Sequence, residues 1–278
     1  MTIDRRTFVA SMGAVMAASS IAGLARAAQV RKVGLQLYTV REIFQSDPVA
    51  TLEKVAGIGY REVEFGGGNY DKMDHALLRR TMDRLQLSAP SLHVSYDVLL
   101  TKFSDAVKMA KTLGADTIVM PWLPPELRTD TGFGGVVENV NRFAKQAREA
   151  GLGLAYHNHD FEFTTRFGGT SLYDRLVAGT DPSLVKLELD LYWAVHAGED
   201  AGKLITRLGN RLYAFHVKDM RADKTMTAVG TGTIDFAGLF KLPGASGVRH
   251  FYVENDEAPA PYLPDITTSF RNLRALRF

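Results

Sequence analysis

Eight short apolar runs recur along this chain, about one every thirty residues, with helical spacing between them. They are "KVGLQLY" (32–38), "EVEF" (62–65), "PSLHV" (90–94), "DTIVM" (116–120), "GLGLAYH" (151–157), "LVKLELDL" (184–191), "RLYAFHV" (211–217) and "RHFYVEN" (249–255). Runs this short, rich in Val, Leu and aromatic residues, read as buried strands. "PVATLEKVAGIG" sets Val49, Leu52, Val55 and Ala56 on one helical face and stops at Gly57 and Gly59. "FSDAVKMAKTLGA" is expected to start after Ser104 and Asp105 and to end at Gly114. "GVVENVNRFAKQAREAG" repeats the pattern, as does "DAGKLITRLG", which stops at Gly209. Eight strand–helix units in about 250 residues predict one α/β domain, a (β/α)8 TIM barrel spanning residues 28–278. The competing architecture is a doubly wound sheet, but no GxGxxG follows the first strand.

Residues 1–27 stand outside this pattern. "DRRTF" (4–8) carries the paired Arg5 and Arg6, and the uncharged apolar stretch "VASMGAVMAASSIAGL" follows. It closes with "ARA" at Ala25–Ala27, a small-x-small cleavage pattern. The reading is a signal peptide of the twin-arginine (Tat) type, cleaved after Ala27, with the mature protein in the periplasm. The apolar core is short for a membrane span, so no stable membrane insertion is expected after cleavage. The segment holds three of the 33 basic and one of the 31 acidic residues, which leaves 30 of each. A chain of net charge near zero is a poor partner for nucleic acid. With no cysteine there is no disulfide and no thiolate ligand, so any metal must be held by His, Asp or Glu.

Strand periodicity decides which side chains face the barrel axis. In "VKLELDLYW" it places Lys186, Glu188 and Asp190 on the axis and Val185, Leu187 and Leu189 against the helices. The seventh strand offers Ala214, His216 and Lys218, and the eighth Tyr252 and Glu254. His93, Glu64, Gln36 and Tyr38 come from the third, second and first strands. One such residue is more often a satisfied core polar group. A ring of them at the C-terminal ends is what barrel active sites are built from. The fifth strand runs into "YHNHDFEF" (156–163), with His157, Asn158, His159, Asp160 and Glu162 in eight positions. Such groups are costly to bury unless they hold a metal, a substrate or one another. With Asp190, His216 and Glu254 they favour one divalent ion, Mn²⁺, Mg²⁺, Co²⁺ or Zn²⁺.

The chain resembles the xylose isomerase-like TIM barrels known as sugar phosphate isomerases/epimerases. The resemblance runs through "GLQLYTVR" (34–41), "EVEFGG" (62–67), "YHNHDFEF", "LELDLYWAVHAGED" (187–200), "FHVKDM" (215–220), "VGTGTIDF" (229–236) and "YVEND" (252–256). It implies a metal held by Glu, Asp, His and Glu from the fifth to eighth strands. Asp190, His216 and Glu254 match that set directly. At the fifth strand relatives place a Glu where this chain has His157. Glu162, the next carboxylate outward, is the expected ligand, with His157 or His159 as alternatives.

A divalent ion bound by neighbouring sugar oxygens polarises a carbonyl and acidifies the adjacent C–H. A carboxylate or imidazole then removes that proton. The enediolate can be reprotonated, giving isomerisation or epimerisation, or can expel a β-substituent, the lyase outcome. His159, Glu254, Lys218 and His157 are the expected catalytic residues. Gln36, Glu64, His93, His157, Tyr192 and Lys218 are expected to contact substrate. Trp193, beside Tyr192, reads more readily as packing between helix and barrel. "GFGG" (132–135) and "VGTGTID" (229–235) lack the lysine of a phosphate loop. They are expected to be mobile mouth loops, with Asp235 capping a helix. Phosphorylated sugars are scarce in the periplasm, so a neutral keto-sugar or glycoside is the expected small-molecule partner. Exported members of the resembled family, linked with oxidised (3-keto) glycosides, point the same way. A homo-oligomer stays open. Two other classes compete. An endonuclease-IV-like nuclease would need more histidines than the seven present and a basic face. A non-catalytic sugar- or metal-binding barrel differs in one test, metal-dependent exchange of substrate hydrogen with deuterated water.

Overall fold

The computed structural model describes residues 28–278; the expected signal segment lies outside them. Eight parallel strands form one sheet that curls into a nearly closed barrel. They are β1 (Gly34–Gln36), β2 (Glu62–Glu64), β3 (Ser91–His93), β4 (Thr117–Met120), β5 (Gly153–His157), β6 (Val185–Asp190), β7 (Leu212–Val217) and β8 (His250–Val253). Each lies inside one of the eight apolar runs. The seam between β2 and β3 is closed by two isolated bridges, Glu62 with Ser88 and Phe65 with Leu92. Around the rest of the barrel, pairing is continuous, β8 joining β1 through Gly34–Tyr252 and Leu35–Val253.

Helices follow the strands because their sequences carry matching start and stop signals. Asp47 Oδ1 accepts from Ala50 N at 2.9 Å to start Pro48–Ile58, and Gly59 ends it at φ 124°. Asp200 caps Ala201–Leu208 through Lys203 N, and Asp235 caps Phe236–Phe240 through Gly238 N. Two boundaries differ from expectation. Ser104 and Asp105 lie inside Phe103–Leu113 rather than before it, since Lys102 takes the N-cap position. The glycines of "GFGG" are the first turns of Asp130–Glu149, with Thr129 Oγ1 accepting from Gly132 N at 3.0 Å. Nor is "VGTGTID" free to move. Gly230 N and Gly232 N both donate to Asp219 Oδ2 at 2.8 Å, which pins that loop to the end of β7.

Register carries the strand parity to the mouth. His157 pairs with Glu188, Asp190 with His216 and His216 with Tyr252. A register shift between β6 and β7 adds Tyr213 to β7 and sets Glu188 level with Ala214. Without that extra residue, Asp190 and His216 would fall out of phase. A small apolar cluster of Val119, Ala155, Tyr213, Ala214 and Tyr252 fills part of the barrel interior, separate from the main core. Among the described residues, no helix is long and apolar enough to cross a membrane.

Candidate active site

The C-terminal ends of the strands bring buried ionisable groups into contact. Glu64, Glu188, Asp190 and His216 have no exposed surface, and His157, Lys218 and Glu254 have almost none. Above them opens a cavity of about 530 Å³. His93, His157, His159, Lys218, Glu254 and Asp256 supply its polar lining. Tyr38, Trp122 and Trp193 supply aromatic walls.

Two overlapping groups occupy this end. In the outer one, ligand atoms of Asp190, His216 and Glu254 lie within 4.8 Å of one another. His216 Nδ1 is 2.6 Å from Glu254 Oε2, and His157 Nε2 is 3.8 Å from Asp190 Oδ2. Lys218 Nζ ties the carboxylates together. It lies 3.0 Å from Asp190 Oδ2, 2.8 Å from Glu254 Oε2 and 3.0 Å from Asp256 Oδ2. The inner group is His93, His157, Glu188 and His216. Glu64 joins it through His216 Nε2 at 2.8 Å and His93 Nε2 at 3.0 Å.

The charges follow from these contacts. Burial alone would lower His93, but Glu64 and Glu188 overcome it and hold its pKa at about 9. Glu188 and Glu254 likewise outweigh burial and raise His216 well above the usual imidazole range. His157 is driven the other way, by burial and by the neighbouring His216, and stays neutral. Burial and Lys218 push His159 down to about 3. His159 therefore does not titrate in the physiological range, contrary to the expectation for a proton-carrying imidazole. Burial raises Asp190, against the pull of Lys218. Burial pushes Asp256 up to about 7, again against Lys218.

Several expected site residues are placed elsewhere. Glu162 belongs to neither group. It is fully buried, and its oxygens accept from Tyr156 Oη at 2.8 Å and from the His159 backbone N–H at 2.7 Å. The chain leaves β5 at His157 and turns into the short helix Phe161–Thr164, which carries Glu162 toward the outward-facing Tyr156. The expected ligand is thereby spent on local structure, and His157 is the fifth-strand group that faces Asp190. Gln36 and Glu64 do not line the cavity. Gln36 Nε2 donates to Glu64 Oε2 at 2.8 Å, and Ser91 Oγ donates to Glu64 Oε1. Tyr192 is turned away, its hydroxyl donating to Lys224 O at 2.7 Å beside Met220 and Met226. Its neighbour Trp193 lines the cavity instead, so packing is not its whole role.

Asp256 and Trp122 escaped the sequence reading, and Glu188 was placed on the axis without a role. Asp256 has the parity of Tyr252 and Glu254, although it lies three residues past the end of β8, and that parity is its signal. Trp122 follows β4 by two residues and carries no such mark. Gly66, in "EVEFGG", has a steric reason to be glycine: a Cβ there would sit 2.6 Å from Gln36 Oε1.

The donor set suits a divalent cation. Two carboxylates and two imidazoles from consecutive strands offer hard oxygens and borderline nitrogens. Asp190 Oδ2 is buried and accepts no well-aligned hydrogen bond from the described residues, although the Lys218 ammonium lies beside it.

Fold and site together define a parallel barrel with an acid–imidazole centre at its C-terminal mouth. The chain belongs to the xylose isomerase-like TIM barrel family, whose model matches residues 52–262. Among curated proteins it is 25% identical over 224 residues to an inosose dehydratase of Mesomycoplasma hyopneumoniae, covering 72% of this chain and 73% of that protein. A sugar phosphate isomerase/epimerase structure from Parabacteroides distasonis superposes with a TM-score of 0.75 at 25% identity, covering 95% of this chain and 98% of that one. The IOLI protein, crystallised with a zinc atom, superposes at 0.69 with 17% identity over 89% of this chain and 99% of its own. These relatives support an enzyme of the same superfamily.

Proposed function

We propose that this protein is a divalent-metal-dependent lyase acting on a keto-sugar or keto-glycoside. The observation that carries the reading is the group of Asp190, His216 and Glu254, with His157 Nε2 3.8 Å from Asp190 Oδ2 and with Lys218 and Asp256 beside it, under one aromatic-walled cavity. His157, Asp190, His216 and Glu254 would hold the ion, which when bound would polarise the substrate carbonyl. Asp256 is the base best matched to neutral pH, with its carboxyl raised to about 7. It removes the proton next to the carbonyl. Lys218, held cationic by Asp190, Asp256 and Glu254, stabilises the enolate oxygen. The β-oxygen then leaves with the proton returned from Asp256, so the products are an enone and water or an alcohol. His159 presents a neutral ring whose buried Nδ1 has no partner among the described residues, suited to a sugar hydroxyl. Elimination is preferred over epimerisation because the curated relatives are inosose dehydratases. A cavity of about 530 Å³ is roomy enough for a sugar carrying a second ring.

The same proposal places the enzyme in the periplasm. Its support is the Arg5–Arg6 pair, the apolar stretch and the "ARA" pattern of residues 1–27.

The test is incubation of a 3-keto-glucoside in deuterated water with Mn²⁺. The expected result is release of the aglycone, with deuterium appearing at the carbon beside the ketone in the recovered keto-glucoside, both lost in Asp256→Asn. Binding of the keto-glucoside with neither exchange nor elimination would favour a non-catalytic barrel.

A further inference from the structure

At the fifth strand the proposed metal centre carries the neutral ring of His157 in place of a carboxylate. A neutral imidazole offers its lone pair on one nitrogen only, and the other carries the proton. Which nitrogen faces the outer carboxylates therefore decides whether His157 can bind an ion at all.

Glu188 settles the choice. Its side chain has no exposed surface, and its Oε2 lies 3.1 Å from His157 Nδ1. The other nitrogen of that ring, Nε2, faces Asp190 at 3.8 Å. An ionised carboxylate can only accept, so the nitrogen that meets it must be the donor. The same Oε2 lies 3.0 Å from His216 Nε2 and 2.9 Å from His93 Nε2. His216 has a second inner acceptor, Glu64 Oε2 at 2.8 Å. Among the described residues His157 Nδ1 has no second one, and its dependence on Glu188 is undivided.

We propose that Glu188 is a positioning residue that holds His157 in the tautomer protonated at Nδ1, leaving Nε2 to serve as the fifth-strand ligand. The inference rests on the metal reading given under Proposed function. It also explains how a neutral ring can stand where a negative ligand would be expected. The missing charge sits one residue further in, on the carboxylate that the ring donates to, and such outer carboxylates raise the basicity of a ligating imidazole.

Two readouts test this independently. The first is the ring tautomer of His157 in metal-free protein, read from long-range ¹⁵N–¹H correlations. Wild type should show the proton on Nδ1. Glu188→Gln should shift His157 toward the Nε2–H form, because a carboxamide can donate as well as accept. Glu64→Gln should leave His157 unchanged. The second readout is Mn²⁺ affinity by calorimetry. Glu188→Gln should weaken it roughly 10- to 100-fold, the range typical of lost outer partners. In a His157→Glu background the same substitution should cost much less, since the His216 ring that remains beside Glu188 keeps Glu64 as its acceptor. A His157 ring unchanged in Glu188→Gln would overturn the proposal. So would an equal affinity loss in both backgrounds, which would mean that Glu188 acts through the fold. Should wild type bind no Mn²⁺, the metal reading falls, while the tautomer measurement still decides the orientation of His157.

Discussion

The ends of β6, β7 and β8 behave differently from the end of β5. Asp190, His216 and Glu254 come off their strands in phase, located by strand parity and brought level by the register shift between β6 and β7. At β5 the strand stops at His157, and after three intervening residues the chain is helical. Alternation predicts nothing past that point, and the nearest carboxylate, Glu162, is drawn to Tyr156 and to a backbone N–H. A ligand is legible in sequence only as far as the regular element that carries it. Beyond the last ladder hydrogen bond, local hydrogen bonding takes over.

The largest effect should fall on the in-phase side. Asp190→Asn and Glu254→Gln should each reduce bound Mn²⁺ below detection by atomic absorption. The barrel should remain folded by circular dichroism, because the apolar interior is unaffected. Retention of one ion in both variants would remove the distinction between the two regions.

A smaller effect separates Glu162 from the metal centre altogether. Burial raises its pKa to about 7 from an ordinary 4.5. The folded state then holds a proton that the unfolded state has released between these values. Stability must therefore fall as pH rises through this window. The loss amounts to roughly 3 kcal/mol at most for a shift of this size. Glu162→Gln cannot release that proton. Between pH 5 and 8, chemical denaturation of metal-free protein should show wild type losing more stability than the variant. Parallel pH profiles would show that Glu162 is ionised in the fold and free to act as a ligand.

The smallest effect lies at the cavity wall. Trp122 is 44% exposed, with Arg128 stacked on its ring at 4.7 Å. Trp122→Ala should weaken binding of a phenyl glucoside about fivefold, in line with about 1 kcal/mol for an aromatic contact. A methyl glucoside should be affected less. Equal losses for both would deny Trp122 a role as a ring platform.

The same contrast explains what could be read beforehand. All eight strands were visible as apolar runs, and Asp235, Gly59 and Gly209 marked helix ends correctly. The axis-facing parity of Glu188, Asp190, His216 and Glu254 was equally plain. What parity cannot tell is depth. Gln36 and Glu64 face the axis as expected but are consumed by each other and by Ser91 and His216. Tyr192 and Trp193 adjoin in sequence, and only the start of the helix Leu191–His196 decides which ring meets the cavity. The "GFGG" glycines looked like a loop, yet Thr129 caps them into a helix. Glycine is a weak breaker where a cap and an apolar face oppose it.

The central claim is that His157, not Glu162, completes the metal centre. The most direct measurement is the Mn²⁺ content of His157→Gln and Glu162→Gln, purified side by side and reloaded under identical conditions. The account predicts that His157→Gln loses the ion and Glu162→Gln retains about one per chain. Loss of the ion in Glu162→Gln, with full occupancy in His157→Gln, would contradict it.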